Sequence, residues 1–549
     1  MKSWHTYPRR IVRLLLALLT IGAVARAEER SADAMPSPAQ LEAGGAIIGT
    51  IYVDAQNIFD VNDPAEDKTI YRGANALHVT TREGVIRQQL LFRTGEPYSQ
   101  RKIEESERIL RSARYLYDAS IRPLAYHDGH VDIAVTSRDV WTLNPGISFG
   151  RHGGVNTFGI ELEELNILGT GTSISASHKS GVDRDSNALE FKDPHLAGSW
   201  TSLATEYSDN SDGSTFGLSL ERPFYSLDSR WAAGGTVLDD DRIESLYDRG
   251  EIVDQFHDHA RTGTIYGGWS QGLIDGWTKR WTFGTTYDDE QFEAAPGWTG
   301  AQVIPEDRTL VYPWVGFELV QNDFLKVHNR DQIGRTEDFH LGARFGARLG
   351  WADRSFGSDR DALIFDATAG YGFGTSDRNT WLLSSSASGR LENGELRNTM
   401  LNAAVRYYAK LSERRLFFAT LSGTKGLNLD LDTQILLGGD NGLRGYPLRY
   451  QSGDSRALLT LEERYFTDWY PFRLFRVGGA IFFDVGRTWG STPVSGPNLG
   501  TLKDVGFGLR IGNSRSGLGN IIHVDLAFPL DGDPSIKKVQ LLVETKQRF

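Results

Sequence analysis

A chain of 549 residues with 59 lysines and arginines against 71 aspartates and glutamates carries a formal charge of −12 and no basic stripe, which excludes nucleic acid as a natural partner. It contains no cysteine, so it has no disulfide framework, thiolate metal site, thiol nucleophile or lipid-anchored N-terminal cysteine. Glycine occurs 60 times, aromatic residues make up 11%, and apolar residues alternate more than they cluster. This is the composition of an outer-membrane β-barrel, and on composition alone a large secreted β-sandwich or propeller also has it.

In chain order, Lys2, Arg9, Arg10 and Arg13 precede an apolar run from Leu14 to Val24 that ends in Ala25, Arg26 and Ala27. A basic front, a short apolar run and a small-x-small exit predict a cleaved secretory signal over 1–27. The run is too short for a membrane-spanning helix. Arg9-Arg10 also permits a twin-arginine reading, the weaker of the two, because basic fronts commonly contain such pairs. A small, polar, proline-containing leader is expected over 28–44. Nothing after the signal approaches the roughly 18 consecutive apolar residues of a membrane helix.

Residues 45–140 read as one small α/β module. "AIIGTIYVDAQNIF" (46–59) has the β-branched content of a strand. Val85, Ile86, Leu90, Leu91, Ile103, Ile109 and Leu110 then recur at helical spacing, with "TGEPYS" dividing the run into two helices. "YDASIRPLAYHDGHVDIAVTSRD" returns to alternation around a His-Asp-Gly turn, giving strand, two helices, two strands. Here "FRTGEPYSQRKIEESERILRSARYLYDASI" (92–121) resembles a polypeptide-transport-associated (POTRA) module, which is periplasmic in the proteins that carry it.

From Trp141 to Phe549 the helical period is gone. Short alternating stretches such as "TFGLSLERPF" (215–224) and "RLFRVGGAIFFDVGRTW" (473–489) are separated by Gly, Asp, Asn and Ser. At about ten residues per tilted strand plus loops, a barrel of roughly 14 to 18 strands fits. The terminal "VQLLVETKQRF" places Val539, Leu541, Val543, Thr545, Gln547 and Phe549 on one face. The other face is charged, as a wet lumen requires.

In "AIFFDVG" (480–486), Ile481, Phe483 and Val485 share an apolar, lipid-compatible face, so Asp484 points into the lumen. In "ALLTLEERY" (457–465) the same alternation sends Thr460, Glu462 and Arg464 inward, with Glu463 on the lipid side near the water boundary. Both strands follow "GGDNGLRGYPLRY" (438–450), where glycines let the chain double back and Tyr446 and Pro447 stiffen the tip. A guanidinium entering from that loop can make paired, charge-assisted hydrogen bonds to a carboxylate, which a lysine cannot imitate. Arg444 is therefore expected to latch the loop to Asp484, shared with Glu462, with Gly445 and Tyr446 shaping the approach.

These residues carry a resemblance. "LRGYP" is similar to the Val-Arg-Gly-Phe/Tyr loop, and "FFDVG" to the Phe-x-Asp-x-Gly strand, of the superfamily that holds the BamA/TamA outer-membrane insertases and the two-partner-secretion translocators. "DPHLAGS" (193–199) and "DVGFGLRI" (504–511) resemble other strands of it. Leu443 stands where valine is usual, and there is one POTRA-like module where better-known members carry two to five. The resemblance implies a mainly β protein: a transmembrane antiparallel β-barrel of about 16 strands over 141–549, preceded by a POTRA-like periplasmic domain over 45–140. It implies a non-enzymatic role, without cofactors, in inserting polypeptides into the outer membrane of a Gram-negative bacterium or moving them across it. Its partners would be unfolded or partly folded outer-membrane or secreted polypeptides, outer-membrane lipid and accessory periplasmic proteins. A lateral seam is expected between the first strand, at Phe149, and the last, at Val543 and Phe549. The alternatives are a passive channel and a structural or lipid-handling barrel.

Other motifs are weaker. "GWSQG" (268–272) matches the serine-hydrolase elbow pattern, but Ser270 ends an alternating strand and no helix follows. His257 and His259 lack the further ligands of a metal site and are expected in a solvated loop; Asp239 to Arg242 are expected in an acidic turn. No metal site is expected.

Overall fold

A computed structural model of the chain describes residues 35–300, 302–376, 378–491, 499–517, 521–546 and 548. The signal peptide expected over 1–27 and the seam residue Phe549 lie outside these residues. No helix among them is long and apolar enough to cross a membrane, which says nothing of strands.

The N-terminal module contains α1 (Pro38–Ala43), β1 (Ile47–Gln56), α2 (Thr69–Leu77), α3 (Glu83–Gln88), α4 (Gln100–Ser112), β2 (Leu116–His127) and β3 (His130–Asp139). The sheet order is β1-β3-β2, with β1 parallel and β2 antiparallel to the central β3. As the periodicity predicts, α3 and α4 are broken at "TGEPYS", and Ile86, Ile103 and Leu110 are buried against Ile48, Val131 and Val135 of the sheet. Two helices were not expected. Ser37 caps α1 through a capping box, and Leu41 enters the module core, so part of the predicted polar leader is structural and the packed unit starts before residue 45. Helix α2 is anchored by Tyr71, stacked on Phe59 at 4.4 Å.

The described residues of the remainder form a closed antiparallel barrel of 20 strands, from Leu143–His152 to Gln540–Lys546. The expected count of 16 is thus too low. The first six strands run only 8 to 10 residues, which leaves chain for additional hairpins. Conversely, the strands Trp231–Asp248, Glu251–Ile274 and Trp277–Ala294 have 18, 24 and 18 residues. A tilted strand crosses a bilayer in about 9–11 residues, so these three extend well past the hydrocarbon.

The barrel exterior is apolar: Ile147, Phe149, Ile160, Leu189, Ile265 and Ile481 are all exposed. The interior is charged, and Glu462, Arg464, Asp484, Asp504, Arg510 and Asp525 are all buried. Basic side chains of the module dock it on the connections at the barrel end where the first strand begins. Arg111 Nε and Nη2 each lie 2.8 Å from an Asp338 carboxylate oxygen, Arg114 pairs with Glu163 at 2.8 Å, and Arg101 pairs with Asp228. Asp338 belongs to a hairpin, Phe324–His328 with Thr336–His340, inserted between two barrel strands. In return, its Lys326 reaches Glu107 of α4 at 2.8 Å.

Candidate functional site

The connection between the strands Arg415–Leu427 and Ser455–Phe466 is the glycine-rich loop, and it folds back into the barrel. A short ladder, Ile435–Leu437 with Gln451–Gly453, closes its neck. At its tip the Arg444 side chain is 7% exposed and that of Asp484 is 0% exposed. Arg444 Nε donates to Asp484 Oδ2 at 2.8 Å and Nη2 to Asp484 Oδ1 at 3.0 Å, a bidentate fork. Nη1 donates to Glu462 Oε1 at 2.8 Å. The guanidinium carbon also lies 3.4 Å from the centroid of the Phe482 ring, so stacking and hydrogen bonding fix one plane.

The ion pair is embedded in a larger network. Glu462 accepts at its other oxygen from Arg464 Nε at 3.0 Å. Arg510 forks onto Asp525, whose Oδ2 lies 3.7 Å from Arg444 Nη1. Asp504 stands opposite Asp484 in the ladder. Sequence alternation places Glu462, Arg464 and Asp484 inward. It did not single out Phe482, Asp504, Arg510 or Asp525, although each falls on the inward parity of its strand, which is the signal that could have found them.

Gly445 and Tyr446 contribute by shape. A Cβ at Gly445 would lie 2.7 Å from the Asp504 Cβ and 3.1 Å from the Pro529 nitrogen, so only glycine allows the loop this close to the wall. Tyr446 is buried among Leu437, Leu443, Tyr450 and Leu502. Its hydroxyl lies 2.8 Å from the Lys503 carbonyl and 3.0 Å from that of Asp531, tying the tip to the start of the strand Leu502–Asn513 and to the connection after Ile521–Pro529. Gly445→Ala is expected to lower unfolding stability by about 1–3 kcal/mol through overpacking. Urea titration in detergent measures it; an unchanged midpoint would show that the loop has slack here.

Outside the lumen the loop is held again. Arg449 donates from Nη1 and Nη2 to the two Asp183 oxygens at 2.6 Å each, with its guanidinium 4.2 Å from the Tyr247 ring centroid. Neither contact was legible in the sequence, because Asp183 is 266 residues away.

The barrel closes between its first and last strands, and this junction differs from the rest. Among the described residues it has one pair in register, Val543 with Arg151. The neighbouring ladder, Ile521–Pro529 with Gln540–Lys546, has seven. Phe149 is 51% exposed on the outer face of the first strand.

The serine of the hydrolase-like pattern is structural. Ser270 is buried, its hydroxyl donates to the Lys279 carbonyl at 2.8 Å and accepts from the Gly272 N–H at 2.9 Å, and it belongs to a strand with no elbow. His257 and His259 lie in a strand, not in a loop, and face Asp241 and Asp239 on its neighbour. Asp239 to Arg242 are likewise strand residues and not a turn. These segments look turn-like in sequence because the buried face of the projecting strands carries Asp240, Asp254 and Asp258 beside Phe256, so polarity does not alternate with burial.

No family model matches the chain. Over 178 residues, 30% of the chain, it is 26% identical to a protein of Treponema pallidum (strain Nichols) described as "Putative outer membrane protein assembly factor". The match spans 21% of that protein, about a fifth of its length. Among solved structures, CdiB from Escherichia coli superposes with a TM-score of 0.46 at 12% identity, covering 92% of this chain and 77% of that one. BamA from Haemophilus ducreyi lacking POTRA domains 1–3 gives 0.37 at 13%, covering 90% and 84%. Superposition at this level carries no argument about activity, and the fold reading rests on the chain's own sheet topology. A closed antiparallel barrel with an apolar exterior and a charged interior, behind one POTRA-like α/β module, is an outer-membrane barrel.

Proposed function

We propose that this protein inserts polypeptides into, or translocates them across, the outer membrane, without enzymatic chemistry. The observation that carries the reading is the barrel's closure: among the described residues, a seam with one pair in register beside a lumenal arginine network. An unfolded client with open strand edges pairs first with an exposed edge of the module sheet by β-augmentation and then with the seam. Its own hydrogen bonding and burial drive insertion, so no nucleotide is needed. The Arg444 loop keeps the lumen wall rigid while the seam parts. A passive channel is disfavoured because the loop occupies the lumen and the module is ion-paired to the connections at one end.

Site-specific photocrosslinking in living cells tests this. A photoreactive residue at Phe149 or Val543, and one on the β2 edge of the module, are expected to capture nascent outer-membrane or secreted chains. A probe at lipid-facing Ile265, far along the wall from the seam, is expected to capture none. Capture of lipid alone at the seam, with unchanged barrel-protein levels on depletion, would replace this reading by a lipid-handling one.

A further inference from the structure

Two insertions enter the barrel from opposite ends and finish on one pair of side chains. The first is the Arg444 loop. The second is the hairpin Phe324–His328 with Thr336–His340, whose connection, residues 329–335, folds into the lumen from the end that carries the module. Its Ile333 is buried against Tyr408, Leu416, Phe418, Phe466, Ala480 and Ile521, which come from five barrel strands. Glu337 fixes the shape of this tip by accepting from the Arg330 and Asp331 N–H groups at 2.9 Å each.

Asp331 does for the hairpin what Arg444 does for the loop. The Tyr408 hydroxyl donates to it at 2.9 Å, and Arg464 Nη1, Arg548 Nε and Arg406 Nη1 lie 3.6, 3.6 and 3.9 Å from its carboxylate. Arg464 Nη1 also donates to the Arg330 carbonyl at 2.7 Å. The same guanidinium donates from Nε to Glu462, whose other oxygen accepts from Arg444. Glu462 and Arg464, two residues apart on the inner face of one strand, are therefore shared by loop and hairpin. The module grips the same turn from below. The Tyr117 hydroxyl donates to the Gly334 carbonyl at 2.6 Å, Arg335 Nη2 donates to the Leu116 and Tyr117 carbonyls at 3.0 and 3.2 Å, and Thr336 Oγ1 donates to Asp118 at 3.1 Å.

We propose that this hairpin is a coupling element, which links docking of the module at one end of the barrel to docking of the Arg444 loop at the other through Glu462 and Arg464. The sign follows from charge. The Arg464 side chain is 3% exposed, so water does not replace a partner it loses. When the tip withdraws, Arg464 gives up the Arg330 carbonyl and the Asp331 carboxylate together and draws harder on Glu462, at the expense of Arg444. Withdrawal also takes a negative charge away from a region crowded with guanidinium groups. Both effects loosen the loop, and by linkage release of the loop loosens the hairpin. The coupling stands on barrel geometry alone; only its use in client handling rests on the function proposed above.

The test reads the loop from outside while the substitutions are made at the other end. Intact cells carrying the full chain are treated with protease, and cleavage within 428–454 is followed. Asp331→Asn is expected to speed cleavage about 5–150-fold, the range of ordinary couplings between sites. Tyr117→Phe, which removes only the hydroxyl on Gly334, should speed it less and in the same direction. Lys410→Ala breaks an exposed pair with Glu413 at a neighbouring turn and should leave it unchanged. For the reverse direction, Ile333→Cys introduces the only thiol of the chain. That thiol should resist a maleimide in the otherwise wild-type protein in detergent and react in the Arg444→Ala background. Wild-type cleavage in both Asp331→Asn and Tyr117→Phe, or a thiol equally shielded with and without Arg444, overturns the coupling. If Asp331→Asn does not reach the membrane, Tyr117→Phe and the thiol decide it. Neither readout involves a client, so faster cleavage with normal client assembly would count against the proposed function and leave the coupling standing.

Discussion

Arg444→Ala is expected to release the loop from the lumen. Removing one member of a buried, hydrogen-bonded ion pair costs about 3–5 kcal/mol, because the remaining charge stays buried and unpaired, whereas an exposed pair would contribute about 0–1. The buried value applies, since the Arg444 and Asp484 side chains are 7% and 0% exposed. Assigned to loop docking, it raises the undocked population by roughly two to three and a half orders of magnitude. Limited proteolysis of intact cells should then cut within 428–454, where the wild-type loop resists, and client assembly should fall with it. Arg444→Lys keeps the charge but loses the fork and the stack on Phe482, and so should resemble Ala more than wild type. In a double-mutant cycle with Asp484→Ala the two losses should be strongly non-additive. Unchanged protease resistance in Arg444→Ala would show that Tyr446, Arg449 and the neck ladder hold the loop without the latch.

That Glu462, Arg464 and Asp484 could be placed on the inward face from sequence follows from the alternation of the strands that carry them. On a strand in lipid, one face must be apolar, so Ile481, Phe483 and Val485 identify Asp484 as inward, and Leu459 and Leu461 do the same for Glu462 and Arg464. Where that constraint ends, legibility ends with it. On the projecting strands the buried face itself carries Asp240, Asp254 and Asp258, so charged residues fall on both faces, and Asp239 to Arg242 read as a turn and His257 to His259 as a loop. The strand count failed for a related reason: the early strands are short and small-residued, as in "SISASHKS" (173–180), so periodicity distinguishes poorly between a strand and its flanking turn. Helix α1 was hidden because a six-residue helix with one core residue, Leu41, has no period to detect. Contacts such as Arg449 with Asp183, or Arg111 with Asp338, join segments far apart in the chain and leave no local trace.

A disulfide across the closure should abolish client handling without unfolding the barrel. Backbone hydrogen bonds contribute on the order of 1 kcal/mol each, so parting a junction that has one pair in register among the described residues costs less than parting the ladder beside it, which has seven among them. If any place in the wall opens sideways it is this one. Arg151 and Val543 are directly opposite, and antiparallel partners have Cα atoms about 4.5–5.5 Å apart, inside the range a disulfide spans. The chain has no other cysteine, so Arg151→Cys/Val543→Cys has a single pairing available, and an oxidising compartment closes it. The crosslinked protein should reach the outer membrane and remain folded, lose client assembly, and regain it on reduction. Val524→Cys/Val543→Cys staples two strands already joined by a full ladder, and should leave activity intact whether oxidised or reduced. Full activity of the oxidised Arg151→Cys/Val543→Cys protein would mean that clients never pass through the seam, and that the short ladder is a feature of a permanently closed wall.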